Sequence, residues 1–118
     1  MVLIWALMKL IASSPFGGQT RTRALIALSL LETSYPRELS RLLEAPVSGV
    51  RKALLGLERD GLVSGRLVGR TRLMRLSPSY FAGKELRSYL ARLAEADSEL
   101  RARVQRLRRR PRQTGKPL

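Results

Sequence analysis

The side chains with the most evident chemistry in this sequence are its arginines. Arginine supplies most of the 23 cationic residues, which face only nine Asp and Glu, for a formal charge of +14 and a pI near 11.7. Its planar guanidinium donates paired hydrogen bonds that suit phosphates and the edge of guanine. A surface charged only for solubility usually mixes both signs. We therefore expect a polyanionic partner, and nucleic acid before any other.

The side chains most used for catalysis and metal binding are missing. The chain has no Cys and no His, which excludes disulfides, thiolate metal sites, cysteine nucleophiles and imidazole bases. Its nine carboxylates form no calcium-loop pattern. We predict that the protein is not an enzyme and that it has no cofactor and no metal. The lack of Cys is compatible with a cytoplasmic protein, which we expect to associate with the nucleoid.

The elements that must position the arginines follow an apolar N-terminal run. The 118 residues allow one compact domain with an additional element or tail. Residues 1–12 are almost entirely apolar, but a bilayer span needs about 20 such residues, and no basic region precedes the run, because Lys9 lies within it. We favour a short helix, buried against the domain or a second subunit, over contact with a membrane. A cluster of helix breakers at 13–18 ends the run.

Three helices are predicted after this cluster. Residues 19–32 lack Gly and Pro and carry apolar side chains at helical spacing, with Thr20 or Thr22 as the candidate cap. Pro36 suits the first turn of a second helix, which extends over residues 36–43. A turn then separates this helix from the third.

The third predicted helix, residues 47–59, has two distinct faces. Val50, Leu54 and Leu57 follow the i, i+4, i+7 spacing of a buried face. Gly61 stops the helix, because it adopts a left-handed conformation without strain. The residues that point largely away from the buried face are Ser48, Arg51, Lys52 and Leu55.

A strongly basic β-hairpin is predicted next. Its strands, residues 62–68 and 71–76, flank Gly69-Arg70, a tight turn with an arginine at its tip. One or two cations would suffice to keep such a hairpin soluble. The hairpin contains no acid and four arginines: Arg66, Arg70, Arg72 and Arg75.

A long C-terminal helix is predicted over residues 79–110, with a serine of Ser77-Pro78-Ser79 as its N-cap. About 30 residues form a rod of roughly 45 Å, longer than a small domain covers. We therefore predict a homodimer in which a second copy covers the apolar stripe of this rod. The stripe has the 3.5-residue spacing of a coiled coil, with apolar side chains at Leu86, Leu90, Leu93, Leu100, Val104 and Leu107.

Asp97 interrupts this stripe. In a parallel coiled coil, the two Asp97 side chains would face and repel each other. An antiparallel arrangement, or a bend that leaves position 97 in water, avoids the repulsion, and Arg101 or Arg103 could neutralise the charge. We predict an antiparallel or splayed pairing of the two C-terminal helices.

The C-terminal tail adds further positive charge. Residues 101–118 contain eight cations and no acid, whereas residues 1–100 contain 15 cations and nine acids, a net +6. Residues 111–118 have the composition of a disordered segment. Basic tails add phosphate contacts that do not depend on sequence; the alternative is a tail that only improves solubility.

The order of helix, helix, turn, helix and arginine-tipped hairpin is that of a winged helix-turn-helix, a mainly α fold with a small β-hairpin wing. Residues 17–76 resemble the ArsR-like winged-helix transcriptional regulators. The segments that carry the resemblance are REL-x-RLL at 37–43, V-x-x-x-L-x-x-L-E-x-x-GLV at 50–63 and GRTRLMRL at 69–76. We expect a DNA-binding domain over residues 17–78, followed by the dimerisation helix.

The resemblance implies a dimeric, sequence-specific regulator of transcription that binds double-stranded DNA. Its recognition helix, residues 47–59, would enter the major groove, the hairpin would reach the minor groove, and the preceding helix would hold phosphates. The implied contacts are Ser48, Gly49, Arg51 and Lys52 on the recognition helix, Arg66, Arg70 and Arg72 on the hairpin, and Arg37 and Arg41 on the preceding helix.

Two departures from the family pattern limit what the resemblance implies. The family often has Ser or Thr as the cap of the recognition helix, where this chain has Ala45-Pro46. The backbone amides left without a side-chain cap could instead bind a DNA phosphate. Metal-sensing members use Cys, His and acidic ligands, so the absence of Cys and His excludes a sensor of thiophilic metals.

Two other functions also fit the sequence. The high charge and basic tail also fit an architectural protein that binds DNA without sequence preference. The winged helix and the coiled-coil stripe also fit a module that docks onto other proteins. RNA binding is less favoured, because aromatic side chains for base stacking make up only 5% of the chain.

Overall fold

Helices and one β-hairpin make up the part of the chain that this computed structural model describes, residues 16–109, with side chains described to residue 108. Their order is consistent with the predicted winged-helix layout. The predicted N-terminal helix, 1–12, and the basic tail, 111–118, lie outside the described residues. The helices are α1 (Gln19–Leu31), α2 (Pro36–Leu43), α3 (Val47–Arg59), α4 (Gly83–Ala96) and α5 (Ser98–Arg109), and the strands are β1 (Val63–Val68) and β2 (Thr71–Leu76).

Helix α1 is the centre of the hydrophobic core. Its residues 24–28 are all buried, because the other four helices and β2 pack around it. A helix that is apolar on nearly all sides requires such surroundings. The prediction of a threonine cap is wrong: α1 begins after Gly18, and Thr22 Oγ1 donates a hydrogen bond to the Gly18 carbonyl at 2.8 Å.

Helices α2 and α3 have the bounds that the sequence predicts and are joined by a tight turn. Val50, Leu54 and Leu57 are buried, which confirms the inner face of α3. In the turn, Glu44 adopts the left-handed region at φ 54°. Ser40 Oγ donates to the Ala45 carbonyl at 2.5 Å. This bond closes the turn and fixes the direction in which α3 leaves α2.

The hairpin is buried at its base and exposed at its tip. β1 and β2 pair in antiparallel register, with Val63 opposite Leu76 at the base. Both residues are buried, as is Met74, whereas residues 66–72 are exposed. The turn is the predicted one, with Gly69 at φ 65°. The hairpin therefore projects from the helices as a wing would.

A short bridge from the α1–α2 loop holds the hairpin to the helices. Ser34 N donates to Met74 O at 3.0 Å, and Met74 N donates to Ser34 O at 2.7 Å. Ser34 Oγ also donates to the buried Glu38 Oε1 at 2.7 Å. One serine thus links β2 to α2. No spacing pattern in the sequence indicates this bridge.

The C-terminal segment differs from the single rod that the sequence predicts. α4 begins at Gly83 with Ala82 at its N-cap, so the prediction of a serine cap is wrong. Ser77 Oγ instead accepts a hydrogen bond from Ser79 N at 3.3 Å in the preceding turn. The helix ends at Ala96, and Asp97 Oδ1 accepts a hydrogen bond from Leu100 N at 3.1 Å. Asp97 is therefore the N-cap of α5, and the prediction of one long dimerisation helix is wrong.

The apolar stripe predicted as a dimer interface is buried within one chain. Both C-terminal helices pack on α1, and α5 also packs on α2. Two short helices that wrap a core show the same three- and four-residue spacing as a coiled coil. The stripe therefore requires no second copy, and it no longer supports the predicted dimer. The buried side chains are Leu86, Leu90, Leu93, Leu100 and Val104, with Leu107 partly buried.

Candidate nucleic-acid interface

The outer face of α3 is polar and open. A Cβ placed on Gly49 would meet no atom within 4 Å, so the helix backbone itself forms the surface there. Pro46 occupies the N-cap position of α3, and none of the described side chains caps the helix. The side chains that the spacing predicts to point outward are all exposed: Ser48, Arg51, Lys52 and Leu55.

A cleft of about 360 Å³ separates this face from the hairpin. Arg37 at the start of α2, Arg51 in the middle of α3 and Arg70 at the hairpin tip all line it. Glu58 is the single acid in its wall, within the described residues. Three elements that are distant in sequence thus bring arginines to one concave, positively charged surface. Its complete lining is Tyr35, Pro36, Arg37, Arg51, Leu54, Leu55, Glu58, Arg70, Thr71, Arg72 and Met74.

Arg72, which the resemblance implies as a DNA contact, has a partner within the chain. Its guanidinium forms an ion pair with Glu58 of α3, so it links the hairpin to the helix rather than pointing freely outward. Gly65 of β1, which pairs with Met74 of β2, leaves space for this ion pair. A Cβ at Gly65 would lie 2.9 Å from Arg72 Nε and 2.8 Å from Met74 Sδ. The pair fixes the hairpin beside α3. The sequence motif at 50–63 includes Glu58, but no pattern in the sequence indicates this pairing or the role of Gly65.

The predicted wing arginines lie on two faces of the hairpin. Opposite residues of an antiparallel pair share a face and successive residues alternate. Arg66, paired with Leu73, therefore lies on the opposite face from Arg72, paired with Leu67. Arg66 lines a separate groove that also contains Arg75. Within the described residues, Arg70 is thus the predicted wing residue that lines the cleft beside α3 without an ion pair.

Arg41 is also remote from the cleft. It lies in a groove of about 470 Å³ between α2 and α5, which includes Glu38, Glu44 and Arg103. Arg103 donates to the Leu42 carbonyl at 2.9 Å and pairs with Glu44 at 3.3 Å. Two acids face three arginines in this groove, whereas one acid faces four arginines in the cleft, so the groove should attract phosphate less. Arg103 does not neutralise Asp97, which instead lies 3.9 Å from Arg23 Nε.

A second ion pair, which no pattern in the sequence indicates, holds the C-terminal end of α3. Arg21 of α1 crosses the helix at Gly56, where a Cβ would lie 3.2 Å from Arg21 Nη1. The Arg21 guanidinium then pairs with Asp60 at 2.5 Å. Gly56 therefore leaves room for the Arg21 guanidinium to lie against α3. With the Arg72–Glu58 pair on its other side, α3 is held at two points while its outer face stays open.

Other kinds of site find no support in the described residues. No group of three or more Asp and Glu residues within 16–109 is arranged to hold a metal ion. No helix in that range is long and apolar enough to cross a bilayer. Comparisons of the chain with protein-family models, curated proteins and solved structures find no match. The resemblance to ArsR-like regulators therefore rests on the sequence motifs alone, and a functional assignment must rest on the surface around α3.

Proposed function

We propose that the protein binds double-stranded DNA and regulates transcription. In this proposal α3 enters the major groove and the tip of the hairpin reaches the adjacent minor groove. The observation that carries the proposal is the convergence of Arg37, Arg51 and Arg70 on one cleft beside the exposed face of α3. The fold places these cations together although the sequence separates them.

The dimensions of DNA fit this surface. The major groove of B-form DNA is about 12 Å wide and admits one α-helix. α3 presents side chains suited to base edges on its outer face, and Arg51 can donate two hydrogen bonds to a guanine. Gly49 adds no side-chain bulk, so a sugar-phosphate strand can approach the helix closely there. A strand that leaves the major groove beside α3 would meet the cleft that Arg37, Arg51 and Arg70 line.

The surface favours a reader of sequence over a general DNA-packaging protein. Phosphate contacts supply affinity without sequence information, whereas base-edge contacts supply specificity. The exposed face of α3 carries side chains that can hydrogen-bond to base edges as well as supply positive charge: Ser48, Arg51 and Lys52. The high net charge also fits the alternative, an architectural protein. Discrimination between DNA sequences separates the two functions.

A single copy presents the whole of this surface. Binding to one half-site therefore needs no second subunit. If the predicted dimer forms through another part of the chain, two copies of α3 would occupy half-sites about 10 base pairs, or a multiple of that, apart. A selected site without pseudo-palindromy would instead indicate that the protein binds as a monomer.

Selection of bound fragments from random DNA, with the full chain at physiological salt, tests the proposal. A regulator should enrich a defined sequence and prefer it over bulk genomic DNA by roughly 10³-fold or more. Equal affinity for all fragments would overturn specific recognition and favour the architectural role. A folded protein with no DNA affinity even at low salt would overturn DNA binding altogether and favour a protein-docking module.

A further inference from the structure

Leu55 is an apolar side chain at the C-terminal end of an otherwise polar stripe on α3. It is 64% exposed and follows Ser48, Arg51 and Lys52 at the i, i+3, i+4, i+7 spacing of one helix stripe. It also forms part of the cleft wall that contains Arg51 and Arg70. In the described part of the chain, large apolar side chains are markedly exposed at Leu55, Leu67, Val68, Phe81 and Tyr89. Of these, Leu55 lies on α3.

Leu55 contributes little to the core. The adjacent Leu54 is buried and packs in the hydrophobic cluster, whereas Leu55 points away from it. An isolated exposed leucine is common on protein surfaces and needs no explanation by itself. Here, however, it belongs to the surface proposed to enter the major groove. Binding of DNA to α3 would remove this side chain from water, so its chemistry bears on which bases are preferred.

We propose that Leu55 reads thymine through the C5-methyl group of that base. This inference rests on the proposed function and adds a specificity-determining residue to it. Thymine is distinguished in the major groove by a methyl group, and an apolar side chain recognises it by contact alone. Burial of one methyl-sized group between the two surfaces corresponds to about a fourfold change in affinity.

The spacing between Arg51 and Leu55 limits where this thymine lies. The two residues are one helical turn apart, about 6 Å along the axis. Base pairs rise by about 3.4 Å each. If α3 lies along the DNA axis and Arg51 contacts a guanine, Leu55 meets a thymine about two base pairs away. The preferred half-site should contain a guanine and a thymine at this separation.

Replacement of thymine by deoxyuridine in the selected DNA site tests the inference, because it removes the methyl group and nothing else. Each thymine is replaced in turn, and the affinities of the full-length wild type and of Leu55→Ala are measured by fluorescence anisotropy. We expect one position at which deoxyuridine weakens wild-type binding about fourfold. At that position Leu55→Ala should bind thymine and deoxyuridine equally. Arg51→Ala, the matched control, should bind more weakly but remain sensitive to the methyl group.

Two results would overturn the inference while leaving DNA binding intact. One is a selected site at which no deoxyuridine replacement affects the wild type. The other is a methyl effect that persists unchanged in Leu55→Ala. Failure to enrich any DNA sequence would overturn the proposed function itself, and the reading of thymine with it. Thermal unfolding of Leu55→Ala should match the wild type, since the side chain is exposed, so a loss of methyl sensitivity cannot result from misfolding.

Discussion

Arg51 and Arg70, on the α3–hairpin side, differ from Arg103 and Arg108 of α5 in what they contact. Arg103 of α5 reaches the Leu42 carbonyl, Glu44 and Glu99, and Arg108 donates to the Leu30 carbonyl. On the other side, none of the described residues forms an ion pair or a side-chain hydrogen bond with Arg51 or Arg70. The two regions are similarly basic in sequence. Their internal partners therefore separate arginines that build the fold from arginines available to a ligand.

The same contrast holds for leucines. Leu90 and Leu100 of the C-terminal helices are fully buried, whereas Leu55 of α3 is mostly exposed. The C-terminal helices thus use their apolar stripe inside the chain, and α3 retains an apolar side chain at its surface. We infer that the C-terminal region stabilises the domain and that the region around α3 and the hairpin contacts other molecules.

The largest expected effect on the C-terminal side is that of Leu90→Ala. Removal of this buried side chain leaves a cavity and should lower the free energy of unfolding by about 2–5 kcal/mol. Urea unfolding, followed by circular dichroism at protein concentrations a hundredfold apart, measures it. The loss should be the same at both concentrations, because the contacts are internal. A loss of stability that appears only at the lower protein concentration would indicate that these helices form a dimer interface, as the sequence predicts. Leu55→Ala should change stability by no more than about 0.5 kcal/mol.

On the α3 side, Arg51→Ala should weaken binding to the selected DNA site by about 1–3 kcal/mol and relax the sequence preference. Its stability should stay at the wild-type value, since none of the described residues pairs with the Arg51 side chain. Arg92→Ala, an exposed arginine on α4, is the matched control for the loss of one positive charge. If the two variants lost the same affinity, binding would depend on net charge alone, and the distinction between the regions would be lost.

Asp97→Ala tests what holds the break between α4 and α5, because Asp97 both caps α5 and lies near Arg23. Loss of the cap should cost about 0.5–2 kcal/mol of stability. Asp97→Asn keeps the capping oxygen but removes the charge, so it should retain most of the wild-type stability. Thermal unfolding of the two variants compares them. Equal destabilisation by both would show that the ion pair, and not the cap, holds the break between α4 and α5.

Local signals in the sequence predicted the elements around α3 well. Pro36 starts α2, Gly61 follows α3 in the left-handed region at φ 83°, and Gly69 forms the hairpin turn. These residues act through their own backbone restrictions, so no distant contact is needed to predict them. The outward face of α3 was predictable for a related reason, since the spacing of its buried residues leaves the others exposed.

The C-terminal side shows what spacing alone cannot predict. A stripe with steps of three and four indicates that a helix buries one face, but not whether the covering surface belongs to the same chain. Asp97 carries the same ambiguity, because an aspartate in such a stripe is either a polar interruption or the cap of a new helix. The cleft was not predictable either, since packing brings Arg37, Arg51 and Arg70 together. The Arg72–Glu58 pair likewise depends on the room left at Gly65.

Two glycines of α3 provide the smallest and most selective test. Gly49→Ala should raise stability by up to about 1 kcal/mol, because alanine favours the helix and a Cβ there meets no atom within 4 Å. Gly56→Ala gains the same helix propensity but places its Cβ 3.2 Å from Arg21 Nη1, so it should gain less stability than Gly49→Ala or lose stability.

If a DNA strand approaches α3 at Gly49, the added methyl group of Gly49→Ala should weaken DNA binding while the protein becomes more stable. Chemical unfolding and DNA titration of both variants separate these effects. A Gly49→Ala protein that binds DNA as tightly as the wild type would show that no strand approaches this part of α3, and the docking of α3 in the major groove would need a different register.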